Sequence, residues 1–346
     1  MRLAAREERG QREGQPSAST SAARPLSVVI PTWNGGARFR ELLVALASQD
    51  VEHELLVIDS GSRDGTAEAA RAAGARVLSI PQSEFNHGAT RNQAIAATHG
   101  GIVALLTQDA LPMGRDYLAC LAKPFANPRV DGAYARQYPR PDCDPLLAER
   151  LRRWSAARNE PSLQVLAPGD PVASRKLYEA LPPMERYLSC VFDNVASAVR
   201  RASWEQRQFP ARTFGEDVAW GRAILLAGGA LAYEPSARVE HSHRIDMRRE
   251  FKRLYCDHRN LYELFELFQV RNWRAVWHGA QGQQRVYREL LESQALTKAE
   301  QRRWRLYSIP YTYVEGAAQF LGARSHWKTA QSRFWAWADR RIRRGV

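Results

Sequence analysis

Residues 26–66 read LSVVIPTWNGGARFRELLVALASQDVEHELLVIDSGSRDGT. Leu26 to Ile30 is a short apolar run closed by Pro31, Phe39 to Leu46 carries apolar side chains at helical spacing, and Leu55 to Ile58 is apolar again and ends at Asp59. Strand, helix and strand follow from that switch of period. The rhythm continues downstream. Thr66 to Ala73 is Ala-rich and helical, Gly74 breaks it, and Ala75 to Ile80 is strand-like. Thr90 to Thr98 predicts a helix stopped near Gly100 and Gly101, and Ile102 to Leu106 reads as a buried strand. Four short apolar strands alternating with helices are the pattern of a parallel sheet with helical crossovers, so an α/β fold is expected over at least residues 26–126.

Outward from this block the organisation changes. Residues 1–25 hold almost no large apolar side chains and are expected to form a disordered tail, because they cannot repay the entropy of ordering. Residues 138–190 are rich in Pro and Arg, with a helical stretch near Leu146 to Arg158 but no sheet rhythm, and read as an irregular insertion or lid. From Val191 apolar alternation returns. Glu216 to Leu226 predicts a helix stopped by Gly228 and Gly229, and Ala230 to Tyr233 and Ala237 to Glu240 predict two short strands. The sheet domain is therefore placed at residues 26–246, and a helical, basic C-terminal region at 247–346.

The 346 residues are 45% hydrophobic and 25% charged, which are globular proportions and exclude low-complexity or collagen-like architectures. The net charge of +13 favours a polyanionic partner: a phosphate-rich ligand, a nucleic acid or an anionic membrane surface. No apolar run approaches the roughly 18 residues of a membrane span, and MRLAAREERGQREGQ lacks the apolar middle of a secretory signal, so a cytoplasmic protein is expected. Cys120, Cys143, Cys190 and Cys256 lie far apart, without close CxxC pairs, and read as free thiols.

In open α/β sheets ligands bind beyond the carboxyl ends of the strands. Here those positions hold Pro31-Thr32-Trp33-Asn34-Gly35, then Asp59-Ser60-Gly61-Ser62-Arg63-Asp64-Gly65, then Thr107-Gln108-Asp109-Ala110. Singly they are ordinary turn chemistry, and Asp59 could simply cap its own turn. At successive strand ends they favour a nucleotide site, which needs a few well-placed hydrogen-bonding groups. Neither GxGxxG nor GxxxxGK[ST] is present, which disfavours dinucleotide and P-loop cradles.

The ordered set SVVIPTWNG, LLVIDSGSRDGT, FNHGATRNQAI, LLTQDALP and FGEDVAWGRAI resembles family 2 inverting glycosyltransferases of the GT-A fold, over roughly residues 26–255. FNHGATRNQA, LTQDALP and VEHSHRIDMRREFKR look most like bacterial rhamnosyltransferases of cell-surface polysaccharide synthesis. The resemblance implies a GT-A-type nucleotide-binding sheet and a metal-assisted transfer of sugar from a nucleoside diphosphate, with dTDP-L-rhamnose the favoured donor. It also implies roles for particular residues. Thr32 and Asp59 match positions that contact base and ribose, Arg91 faces the nucleotide or its phosphates, and Gln108 belongs to the same donor-binding set. Asp109 is the metal-binding acid of a DxD-type motif, here reduced to Thr107-Gln108-Asp109 with one carboxylate. Mg²⁺ or Mn²⁺ is the implied cofactor, since diphosphate oxygens and water can complete such a site.

Inversion needs a base on the face opposite the leaving group. The match puts it at Asp217, with Glu216 supporting acceptor binding or orientation; the competing reading is two acids favoured by a helix dipole. His241-Ser242-His243 can offer two imidazoles on one side, because alternate residues of an extended chain share a face. The resemblance makes His241 a candidate metal or diphosphate ligand. His87 is a further near-site candidate, against the reading of a solvent-facing loop histidine.

Residues 301–346 carry ten basic and two acidic side chains, a net charge of +8, with Trp304, Trp327, Trp335 and Trp337 interleaved. This suits an anionic bilayer surface and a saccharide or lipid-linked acceptor, on the inner face of the plasma membrane. Tryptophans packed inward beneath a solvated face are the competing reading. Nucleic acid is not expected as a partner, as no recognisable binding module accompanies the charge. A non-catalytic nucleotide-sugar-binding or assembly subunit is the alternative to an enzyme.

Overall fold

The computed structural model describes residues 26–345; the expected tail over 1–25 lies outside them. The N-terminal alternation is as expected: β1 (Leu26–Thr32), α1 (Gly36–Ala47), β2 (His53–Asp59), α2 (Thr66–Ala72), β3 (Arg76–Ser79), α3 (His87–Ala96) and β4 (Ile102–Leu106). Helix α3 begins at His87 rather than Thr90. The Asn86 side chain accepts a hydrogen bond from the Ala89 N–H at 3.1 Å and caps the helix one turn earlier than its apolar spacing indicates.

After β4 the chain forms β5 (Leu111–Pro112), α4 (Tyr117–Ala122) and β6 (Val130–Tyr138). The segment read as irregular contains α5 (Pro145–Arg152), β7 (Ser162–Gln164), α6 (Pro171–Ala180) and α7 (Pro183–Ser189). It therefore contributes a strand, β7, to the sheet. Next come β8 (Ala196–Arg200), α8 (Arg201–Gln206), α9 (Glu216–Leu226) and β9 (Ala230–Glu240). The two short strands expected at 230–233 and 237–240 are one, with a register shift against β6 between Ala135 and Arg136. Pro235, which has no N–H to give, lies in that shifted stretch.

The sheet order is β3-β2-β1-β4-β8-β6-β9-β5, with β7 paired to β9. It is mixed rather than parallel. The first four strands run together, β8 runs antiparallel to both β4 and β6, and β9 returns parallel to β6. Reversing β8 brings its beginning to the edge where β1, β2, β4, β6 and β9 end. That edge holds the polar loops.

Alternating side chains send Val29, Leu56, Ile58 and Leu105 into the core under α9 and α10, and Val28, Ile30, Val57 and Ala104 into the core under α1 and α4. The C-terminal region is helical as expected: α10 (Met247–Phe265), α11 (Trp273–Ser293), α12 (Lys298–Gln331) and α13 (Arg333–Arg343). Leu261, Phe265 and Leu267 share a core with Leu105 and Trp220, so residue 246 does not divide two separate cores. Among the described residues no helix is long and apolar enough to cross a membrane. The four cysteines are free thiols.

Candidate functional site

Thr32 at the end of β1 pairs in register with Asp59 at the end of β2, so the loops that follow interlock. The Asn34 N–H donates to Ser62 Oγ at 2.8 Å, and the Arg63 N–H donates to Asn34 Oδ1 at 2.9 Å. Asn34 sits at φ +48°, a left-handed conformation that Asn tolerates better than most side chains. Thr32 Oγ1 and the Trp33 N–H both donate to Gln108 Oε1 at 2.8 Å, tying the end of β1 to the loop after β4. Asp59 is buried and caps its own turn, accepting from the Gly61 and Ser62 N–H groups at 3.1 and 3.0 Å and from Ser62 Oγ at 2.5 Å. Thr32, Asp59 and Gln108, expected as donor-binding residues, thus come together, with much of their hydrogen-bonding capacity used in shaping this ledge. Trp33 stands 48% exposed beside them, an aromatic face that the sequence reading quoted without assigning a role.

Strand β5 pairs Leu111 with Glu240, which brings Asp109 to the end of β9. Asp109 Oδ1 lies 3.7 Å from His241 Nε2, and Oδ2 lies 3.4 Å from His243 Nδ1. The ligand atoms of these three residues all lie within 4.8 Å of one another. His243 joins because its ring lies edge-on to that of His241, with centroids 4.8 Å apart. Burial pushes the Asp109 carboxyl up, but the His241 and His243 imidazoles and the Thr107 hydroxyl more than offset it, leaving Asp109 below its ordinary range. His243 is pushed down to about 4, first by burial and then by His241, against the pull of Asp109. It is neutral near pH 7, with a ring lone pair free for a cation.

Glu216 and Asp217 open α9, and their environments differ. Glu216 is buried and accepts from Arg91 Nη1 at 2.8 Å and from Asn194 Nδ2 at 3.2 Å. Arg91 is buried as well. The arginine expected to face phosphates and the acid expected to support an acceptor are turned upon each other, since an unpaired charge at either position would carry a large desolvation cost. Asp217 accepts from the Asn194 N–H at 3.2 Å and the Val218 N–H at 2.8 Å. Burial first, then the negative charges of Glu216 and Asp193, hold its pKa well above the usual carboxylate range. His87 is not a loop residue; it is the first residue of α3, half-buried, edge-on to Phe85 at 4.9 Å and 3.5 Å from Arg91 Nη1.

Two residues missed by the sequence reading connect these groups. Gln137 at the end of β6 donates from Nε2 to Asp193 Oδ2 at 2.6 Å, and its Oε1 lies 3.3 Å from His241 Nδ1. Asp193 also accepts from Trp154 Nε1 at 3.2 Å and bears electrostatically on Asp217. A polar bridge runs from the Asp217 environment through Asp193 and Gln137 to His241 and Asp109. Asp193 precedes a strand, so a search of strand ends passes over it; only the reversal of β8 brings that position to the working edge.

Residues 27–202 match the family model Glycosyl transferase family 2. The O-antigen chain rhamnosyltransferase RfbN of Salmonella typhimurium is 31% identical over 237 residues, covering 66% of this chain and 70% of its own. The O-antigen chain rhamnosyltransferase WbaN of Salmonella anatum is 32% identical over 234 residues, with the same coverage. Among solved structures, the mannosyltransferase PcManGT from Pyrobaculum calidifontis, in complex with GDP-Man and Mn²⁺, is similar with a TM-score of 0.48 and 18% identity, covering 93% of this chain and 85% of that one.

Proposed function

The chain belongs to glycosyl transferase family 2 and is a nucleotide-sugar glycosyltransferase, and from that premise we propose that it transfers L-rhamnose from dTDP-L-rhamnose, with inversion, to a saccharide or lipid-linked glycan. The donor sugar rests on the likeness to the two rhamnosyltransferases. The catalytic reading rests on one observation: an aspartate of raised pKa, Asp217, shares a sheet edge with the cluster of Asp109, His241 and His243, and Asp193, whose charge helps to raise that pKa, is joined to His241 through hydrogen bonds of Gln137.

Asp217 takes the proton of the acceptor hydroxyl as it attacks the sugar carbon. Its raised pKa makes the ionised form a stronger base than an ordinary aspartate. Glu216 supplies part of the field that raises that pKa while its pairing with Arg91 holds the first turn of α9 in place. Thr32, Asp59 and Gln108 shape the ledge for the base and ribose, and Trp33 offers a stacking face.

The Asp109, His241 and His243 donor set fits a divalent cation, with one oxygen and two nitrogens in reach of a common point. Two imidazoles suit Mn²⁺ better than Mg²⁺, which prefers an oxygen shell. When bound, the cation offsets the charge that develops on the departing diphosphate.

A thermal-shift panel of dTDP-, UDP- and GDP-sugars, each with and without Mn²⁺ or Mg²⁺, tests this reading. The expected result is the largest rise with dTDP-rhamnose and Mn²⁺, with the metal-dependent part lost in His243→Ala. A larger rise with a UDP- or GDP-sugar would overturn the donor assignment. Metal dependence that survives His243→Ala would overturn the ligand set.

A further inference from the structure

Helices α10, α12 and α13 enclose an open groove of about 470 Å³, within the size range of small-molecule sites. Its floor is apolar, from Phe251, Val314, Trp337 and Ile342. Its remaining walls carry three cations, Arg248, Lys252 and Arg341, and no acid lines it. The two outer helices build it in the same way. On α10, Met247 and Phe251 form an apolar ridge beside a basic ridge of Arg248 and Lys252, each pair four residues apart; on α13, Ala338 and Ile342 lie beside Arg341.

The cations are little used by the fold. Arg248 and Arg341 have no carboxylate partner among the described residues; Arg341 lies 5.9 Å from the Trp337 ring centre, and Lys252 gives one bond to the Arg344 carbonyl. Trp337 is 52% exposed, although it lies in an apolar floor. An apolar trough with concentrated, unneutralised positive charge fits a ligand with an apolar chain and a compact anionic head. A phosphate matches three neighbouring cations better than separated carboxylates do.

The groove also adjoins the catalytic edge. Met247 is four residues beyond His243, a chain distance of at most about 14 Å. We infer that the groove binds the phosphate end of a long-chain lipid phosphate and so anchors a lipid-linked acceptor within reach of the edge that holds His243. This rests on the transferase reading for its purpose, but the binding itself is independent of transfer. The sequence reading placed membrane contact on ten basic residues with four interleaved tryptophans; Trp304 and Trp335 are half-buried, Trp327 is 42% exposed and stacks on Phe268 at 5.4 Å, and Trp337 is the one that lines the groove.

The test is calorimetric titration of the full chain with decyl phosphate below its micelle concentration, beside decyl maltoside, inorganic phosphate and phosphatidylglycerol vesicles. Saturable binding of decyl phosphate is expected, at least tenfold tighter than either decyl maltoside or inorganic phosphate, and weakened at least tenfold by Arg248→Gln with Arg341→Gln. Equal binding of decyl maltoside, or an unchanged affinity in the double variant, would overturn the site. Vesicle binding without decyl phosphate binding would replace it with simple surface adsorption. A donor-induced thermal shift on the same wild-type sample separates the two readings. Its presence without decyl phosphate binding removes only the lipid site; its absence with decyl phosphate binding intact removes only the proposed donor.

Discussion

Asp217 holds its carboxylate against two backbone N–H groups, with Glu216 and Asp193 as acidic neighbours. Because its pKa is raised on folding, the folded state binds this proton more tightly than the unfolded chain does. The group favours folding at low pH and opposes it as pH rises through the raised value. Asp217→Asn removes that pH dependence, and it sets an amide NH2 against one of the two backbone N–H donors, so no gain in stability accompanies it. The expected outcome is a weaker fall of Tm with rising pH than in the wild type, together with a fall in kcat of about 10²–10⁴-fold. Calorimetry across pH and initial rates on the same preparation check both; an unchanged pH dependence of Tm or a fully active variant would count against the assignment. In the wild type the acid limb of the kcat profile should lie above the ordinary carboxylate range, with activity lost as pH falls through it.

The start of α9 positions that carboxylate. Gly215 lies at φ +71°, and a Cβ there would fall 2.0 Å from Asn260 Nδ2 on α10. Asn260 is itself engaged, accepting from Arg212 Nη2 at 2.8 Å. Gly215→Ala must strain the backbone and displace Asn260, so it should cost at least about 2 kcal/mol in urea unfolding and lower kcat by tilting the first turn. Gly279 in α11 is the contrast. Nothing lies near its would-be Cβ, so Gly279→Ala should stabilise by up to about 1 kcal/mol through helix propensity alone. Equal effects at the two positions would refute the argument from close approach.

The whole molecule is tied together through Arg150 on α5. Its guanidinium donates to Glu250 Oε2 on α10 at 2.5 Å, and to Glu315 Oε1 at 2.6 Å and the Tyr311 hydroxyl at 2.9 Å on α12. Burial raises the Glu250 carboxyl, but Arg253 and Arg150 hold it below its usual range; at Glu315 burial prevails over Arg150 and the pKa is raised. Arg150→Met would leave two acids largely buried without their shared cation, at a cost of about 3–5 kcal/mol. Urea unfolding followed by tryptophan fluorescence should show that loss. A change below about 0.5 kcal/mol would place the coupling of the C-terminal helices in apolar packing instead.

The first four strands, their helices, and α9 were legible because their signals are local: a change of apolar period, a glycine stop, an acid at a strand end. Thr32, Asp59, Gln108 and Asp109 stood out at strand ends for the same reason, whereas Asp217 was picked out by the family resemblance, its local signal being only that of an acid at a helix start. The sequence by itself determined an α/β sheet with polar loops on one edge and a basic helical end. Only the tertiary structure decided that β8 runs in reverse, which brings Asp193 to that edge, and that β5 pairs with β9, which sets Asp109 against both His241 and His243. It likewise decided that Arg91 pairs with Glu216. These are pairings across 125 residues or more in the case of Arg91 and Glu216 and of Asp109 with the histidines, and no local periodicity encodes them. They follow from strand order and from the cost of burying a charge alone.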